Sequence, residues 1–113
     1  MLEEGTRLLI CHRQLFHDDW PRLAVGIVTS RDGSLVRING YSWTRDPETG
    51  EFTRKAAPRT EIISVAAGTL TVFELPATLD IESVHFDHRH SGRVLLRADG
   101  DFELDLSNRP YTS

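Results

Sequence analysis

The feature that most constrains this chain is a series of short apolar segments separated by turn residues. No long segment repeats apolar side chains at i, i+3, i+4 and i+7, the spacing of an amphipathic helix. The segments are rich in Val, Ile, Leu, Thr and Phe, which favour pleated strands. They define nine candidate strands: Thr6–Leu15, Leu23–Arg31, Ser34–Arg45, Glu51–Lys55, Arg59–Ala66, Thr69–Leu75, Val84–His88, Arg93–Arg97 and Asp101–Leu106.

Short connections join these segments, and such connections favour antiparallel hairpins over parallel crossovers. The segment Pro76–Ser83 is one of the longest connections and offers Thr78 or Asp80 as the cap of a helical turn. We therefore expect an all-β fold: an antiparallel meander of about eight to nine short strands that forms a small barrel or a two-layer sandwich, with at most one short helical turn. The 113 residues suit a single β domain over 1–107 and a C-terminal tail over 108–113.

The turn at Asp32-Gly33 predicts which side chains share a face of the sheet. A two-residue turn at this position pairs Ser30 with Leu35. That register groups four apolar residues on one face: Val25, Ile27, Val36 and Ile38.

Two further turns predict registers near the middle and the end of the chain. A three-residue loop Ala98–Gly100 places Arg97 opposite Asp101. It also groups Val94, Leu96, Phe102 and Leu104 on one face. A four-residue loop over 47–50 places Trp43 and Phe52 on a common face.

Charge and terminal sequence narrow the class of protein. The net charge of −4 argues against coating of nucleic acid by bulk electrostatics, and it divides into +1 for residues 1–60 and −5 for residues 61–113. Any anion-binding surface is therefore expected in the first half. The single cysteine, Cys11, cannot form an internal disulfide, and no signal-peptide pattern or membrane-spanning segment is present. We expect a cytoplasmic, bacterial protein with no membrane partner.

A histidine cluster, His85-Phe86-Asp87-His88-Arg89-His90, is the first candidate site. Histidine and carboxylate are common metal ligands, and His88 and His90 share a face of an extended strand. A metal site would be completed by His12 or His17. The favoured interpretation is a solvated hairpin tip, so no metal ligand and no cofactor are assigned.

Nucleophilic chemistry has little support in the sequence. Neighbours on a strand point to opposite faces, so Cys11 and His12 cannot act as nucleophile and base, and a packing role is favoured for Cys11. None of the common hydrolase, zinc-protease, redox, dinucleotide or phosphate-loop motifs occurs. The enzyme question stays open, with a non-enzyme favoured.

The second candidate site is a stripe along one predicted strand. Without interruption, one face carries Arg37, Asn39, Tyr41, Trp43 and Arg45, and such a basic and aromatic face resembles the stacking surfaces that bind single-stranded nucleic acid. A bulge at Asn39-Gly40 would instead move Tyr41 and Trp43 into the core. The core interpretation is favoured.

Three functional hypotheses remain. We favour a non-enzymatic interaction module that forms a homo-oligomer or binds a protein partner through exposed strand edges. The alternatives are a single-stranded nucleic-acid-binding barrel and a small-molecule or metal-binding barrel that uses the histidine cluster. The candidate binding residues are Arg37, Tyr41, Trp43, Arg45, His88 and His90.

Overall fold

The protein is almost entirely β structure in a computed structural model, which describes residues 3–12, 22–46, 48–66, 68, 70–88 and 94–106. The all-β prediction is confirmed. Within these ranges the elements are β1 (Arg7–His12), β2 (Arg22–Asp32), β3 (Leu35–Arg45), β4 (Phe52–Arg54), β5 (Arg59–Ser64), β6 (Leu70–Leu75), a 3₁₀ turn (Ile81–Ser83), β7 (His85–His88), β8 (Val94–Ala98) and β9 (Phe102–Asp105). The predicted tail, 108–113, lies outside the described residues.

In the part of the chain that the structure describes, two antiparallel sheets pack as a sandwich and neither closes into a barrel. The larger sheet has the order β4-β3-β2-β1-β6, and β5 also pairs with β3. The smaller sheet has the order β7-β8-β9. Strand β3 is long enough to have two partners on one side, since residues 35–40 pair with β5 and residues 43–45 pair with β4.

The two faces of the larger sheet bury different clusters. The Val36 face, named for that fully buried residue, carries Leu8, Ile10, Ala24, Val28, Val36, Ile38 and Ile63. Its cluster joins residues of β5 with partly buried residues of β6, so the sheet curves over its own side chains. The opposite face, here called the Trp43 face, packs against the smaller sheet. The larger sheet contributes Leu9, Leu23, Val25 and Trp43 to this cluster, and the smaller sheet contributes Phe86, Leu96 and Ala98.

An aromatic contact joins the two sheets. Trp43 is 3% exposed, and its ring meets Phe86 edge-on with 5.0 Å between centroids and 80° between planes. Phe52 adds a tilted contact to Phe86 at 5.7 Å. Removing an indole ring from water contributes about 4 kcal/mol by its area, so this contact holds the smaller sheet on the larger one.

The β2–β3 hairpin differs from the predicted register. The turn is Gly33-Ser34, with Gly33 at φ 61°, and Asp32 pairs with Leu35. A bulge between Val28 and Ser30 then shifts the pairing by one residue, so that Val28 lies opposite Ile38. The predicted grouping of Val25 and Ile27 with Val36 and Ile38 is therefore wrong, because one extra residue reverses which face each side chain occupies.

The β8–β9 hairpin keeps the predicted faces but not the predicted pairs. Ala98 lies opposite Phe102 across a three-residue loop, with positive φ at Gly100 (84°) and Asp101 (62°). Arg97 lies opposite Glu103 instead of Asp101. A shift of two residues leaves each side chain on its face, so the predicted apolar group does pack against the core cluster: Val94, Leu96, Phe102 and Leu104.

Two local predictions around the smaller sheet are confirmed. Asp46 N–H donates to the Glu51 carbonyl at 2.8 Å, which closes a four-residue loop and places Trp43 and Phe52 against the same ring. Asp80 caps the 3₁₀ turn, since its side chain accepts a 3.0 Å bond from Glu82 N–H.

Gly40 allows β2 and β3 to approach closely where β3 changes partners. It lies directly opposite Gly26. A Cβ on Gly40 would come within 2.5 Å of the Gly26 Cα and closer still to the Val25 carbonyl oxygen. These are backbone atoms, so a side chain at this position requires the strands to separate.

We expect Gly40→Ala to lower the free energy of unfolding by about 3 kcal/mol, because the methyl group clashes with the β2 backbone. Chemical denaturation measures the change. Gly68→Ala is the matched control, since a Cβ there meets nothing within 4 Å, and we expect a change below about 0.5 kcal/mol. Equal effects of the two substitutions would contradict the close approach.

Candidate functional site

The basic and aromatic stripe lies on one face of β3. Pairing with β2 runs without a break from Leu23–Trp43 to Val28–Ile38, so β3 has no bulge at Asn39-Gly40. Tyr41 and Trp43 consequently share the Trp43 face with Arg37. The favoured interpretation, in which a bulge at Asn39-Gly40 moves these two aromatics to the Val36 face, is therefore wrong, because the extra residue is in β2.

The smaller sheet divides this stripe into a covered and an uncovered part. Trp43 is buried beneath Phe86, so its ring is not available for stacking on a base. Tyr41 and Arg45 are half-buried, whereas Arg37 and Asn39 are exposed. The stripe is therefore core at one end and open surface at the other.

Tyr41 marks the boundary between these parts, and its polar groups have partners within the protein. Its hydroxyl donates to Glu82 Oε1 at 3.2 Å. The Arg54 guanidinium lies 4.4 Å from the Tyr41 ring centroid and donates to the Glu82 carbonyl at 3.1 Å. These contacts join the 3₁₀ turn to β3 and β4. They also occupy one face of the Tyr41 ring and the Arg54 guanidinium, the groups to which a nucleotide would bind.

Arg45 is held in the same way at the covered end. Its Nε donates to the Gly50 carbonyl at 3.1 Å, and its guanidinium lies 5.4 Å from the Phe52 ring centroid. The side chain stabilises the β3–β4 loop. Of the stripe's two arginines, Arg37 is exposed and Arg45 is half-buried.

A groove of about 530 Å³ lies beside Tyr41, between β3 and the 3₁₀ turn. Its lining mixes charges of both signs, from Arg7, Asp80 and Glu82. Arg7 is committed to the fold, because its Nε donates to the Leu79 carbonyl and its Nη1 donates to the Gly5 carbonyl. The two carboxylates are also engaged, since Asp80 caps the 3₁₀ turn and Glu82 accepts from the Tyr41 hydroxyl.

The uncovered part of the Trp43 face continues from β3 onto β5. It carries Leu35, Arg37 and Asn39 from β3 and Thr60, Ile62 and Ser64 from β5, and we call it the β3–β5 surface. Leu35 and Ile62 are 48% and 62% exposed, and they are the exposed large hydrophobic residues of the described chain. Arg37 lies directly opposite Ile62.

No residue of β5 is among the predicted site residues, although the sequence carries a signal for this strand. Ile62 and Ile63 are adjacent in a strand, so their side chains point to opposite faces. Ile63 is buried on the Val36 face. The Ile62 side chain therefore points to the Trp43 face, where no described residue buries it.

The predicted histidine site is only partly described. His85 is exposed on the far face of the smaller sheet, opposite Arg97. His88 ends β7, and both His90 and His17 lie outside the described residues. Among the residues that are described, no group of three or more His, Cys, Asp or Glu side chains is placed to hold a metal ion.

The far face of the smaller sheet carries an ion-pair network. Arg97 contacts Asp87 at 3.1 Å and Glu103 at 3.2 Å. All three side chains are partly open to solvent, where such pairs contribute little stability. The network aligns β7, β8 and β9.

Cys11 is half-buried against the Trp43-face cluster, as the packing interpretation expects. Burial raises the pKa of its thiol from 9.0 to about 11, because desolvation disfavours the thiolate. The thiolate is the reactive form of cysteine. At neutral pH this residue is therefore a poor nucleophile.

The raised thiol pKa predicts a loss of stability in alkali. The Cys11 thiol ionises near pH 9 in the unfolded chain and near pH 11 in the folded chain. Folding therefore favours the protonated thiol, and the free energy of unfolding falls as the pH rises from 9 to 11. Because the thiol retains some solvent contact, we expect the loss to be about 1–2 kcal/mol. Denaturation curves across this pH range should show it in the native chain and not in Cys11→Ser. Parallel pH profiles of the two proteins would contradict it.

Comparisons of the chain with protein-family models, curated proteins and solved structures found no match. Across the described part of the chain, no helix has the length and apolar character needed to span a membrane.

Proposed function

We propose that this protein is a non-enzymatic interaction module that self-associates through the β3–β5 surface and the adjoining edge of β5. The observation that carries the proposal is the exposure of Ile62 and Leu35 on one uncovered sheet face. Apolar side chains that lie together on a surface favour association, because contact removes them from water. The single, half-buried cysteine is compatible with a reducing compartment, and we place the module in the cytoplasm.

The composition of this surface supports a protein partner over a nucleic acid. Arg37 is its one cationic side chain, whereas binding of nucleic acid relies on several phosphate contacts. The aromatic ring that would stack best, Trp43, is inside the core. A strand pair with two exposed aliphatic side chains and a polar border has the makeup of a small protein interface.

Support for a non-enzyme comes from the state of the reactive groups. The only thiol has a raised pKa, and the arginines beside the groove donate to backbone carbonyls. Active sites generally place groups with strongly shifted pKa values in a cleft. The charged side chains that line the groove beside Tyr41 are instead engaged in contacts within the protein.

Sedimentation velocity over a wide range of protein concentration tests the proposal. We expect the native chain to shift from monomer toward dimer between low micromolar and millimolar concentration. Ile62→Lys should weaken this association about tenfold or more, because a charge replaces an apolar contact at the interface.

Thr53→Lys is the matched control, since Thr53 is an exposed strand residue in β4, away from the β3–β5 surface. It should associate like the native chain. A monomer at every concentration would reject the proposal, and equal weakening by both lysines would indicate a nonspecific effect of charge.

A further inference from the structure

The backbone of β5 has hydrogen-bonding groups that point away from the sheet at every second residue. Val65 N–H donates to the Ser34 carbonyl at 2.9 Å, and these residues are directly opposite in the β3–β5 register. Groups of an antiparallel strand alternate in direction. The odd-numbered residues of β5 therefore bond to β3, and the backbone groups of Thr60, Ile62 and Ser64 point toward an edge that none of the described strands covers.

Hydrogen bonds elsewhere in the sheet agree with this alternation. Val28 N–H donates to the Thr6 carbonyl, and the Val28 carbonyl accepts from Gly5 N–H, so both backbone groups of Val28 point toward β1. The odd residues of β2 consequently bond to the odd residues of β3. The even residues of β3 are left to bond to β5, as the Val65 contact requires.

Other strand edges carry features that discourage pairing. On β9, Leu106 N–H donates to the Val94 carbonyl, so the outward backbone groups belong to Glu103 and Asp105. The outer strand β6 has the exposed Glu74 and is followed by Pro76. Charges and proline are common protections of exposed edges. In β5 the central outward-pointing residue is instead the exposed Ile62.

We propose that two copies of this chain pair through antiparallel β5 strands around a two-fold axis at Ile62. This inference rests on the proposed function and specifies its partner and register. Ile62 then lies opposite the partner's Ile62, and Thr60 lies opposite the partner's Ser64. Each of these residues donates and accepts a backbone bond, and the two isoleucines cover each other on the Trp43 face.

Charge and backbone chemistry exclude the two registers that are shifted toward the N-terminal end of β5. An axis at Glu61 would place this carboxylate directly against its own copy, where like charges repel. An axis at Thr60 would place Pro58 opposite Ile62, and proline has no N–H to donate. The axis at Ile62 avoids both and uses the whole run of outward groups in β5.

The interface is small and the dimer is accordingly weak. A five-residue strand pair with its flanking side chains buries less than the roughly 1,200–2,000 Å² of a stable complex. Association is expected only at high concentration, or where a larger assembly holds copies close together.

Disulfide trapping tests the register, in a Cys11→Ala background that removes the native thiol. Directly opposite residues in a hydrogen-bonded pair have Cα atoms about 5.5 Å apart, within the range of a disulfide. Ile62→Cys should therefore form a covalent dimer on mild oxidation. The double variant Thr60→Cys with Ser64→Cys should do so as well, whereas Thr60→Cys alone should not, since residue 60 lies four positions from its own copy.

Leu35→Cys is the matched control, because Leu35 is an exposed apolar residue of the same surface on β3. We expect Ile62→Cys to cross-link about tenfold faster than this control, because association raises the effective concentration of the two thiols. Equal rates, with association still seen by sedimentation, would overturn the register and leave the proposed function standing. Absence of association by sedimentation would reject both.

Discussion

The contact between Trp43 and Phe86 is the interaction on which the arrangement of the two sheets depends. It is the edge-to-face centre of the cluster that joins them, and Phe52 extends it. Because Phe86 covers only one end of β3, the same strand is buried core at Trp43 and open surface at Arg37. The position of this contact therefore determines which part of the larger sheet is left for a partner.

The strand pattern and much of the face assignment were predictable from local sequence, because alternation and turn chemistry act over a few residues. All nine candidate strands have a counterpart in the structure. The grouping of Leu96 with Leu104 was predicted although the register differs by two residues, since faces repeat with a period of two. Asp80 was recognised as a cap for the same local reason.

The bulge in β2 shows where local reasoning fails. Asn39-Gly40 has the residue types of an irregular strand, yet β3 has no bulge at this point. Gly40 is needed because a side chain here would clash with the β2 backbone. The extra residue is in the Val28–Ser30 stretch, which has neither glycine nor proline to indicate it. The bulge brings Val28 opposite Ile38, and both side chains are buried in the same cluster, so tertiary packing supplies the reason for it.

The candidate surface was harder to predict than the fold, because it is defined by what the smaller sheet leaves uncovered. Arg37 was singled out from the stripe, but Ile62 was not, since its exposure depends on where the second sheet packs. Trp43 and Arg37 lie on one face of β3, and the placement of Phe86 buries the first and leaves the second exposed.

Residue-resolved hydrogen exchange of the β5 amides tests most directly the central claim that β5 is an open edge through which the chain associates. In dilute protein, the amides of Thr60, Ile62 and Ser64 should exchange rapidly, while those of Glu61 and Ile63 are protected by bonds to β3. At high concentration the first set should become protected as well. Equal protection of both sets in dilute protein, or exchange of the first set that does not change with concentration, would contradict the account.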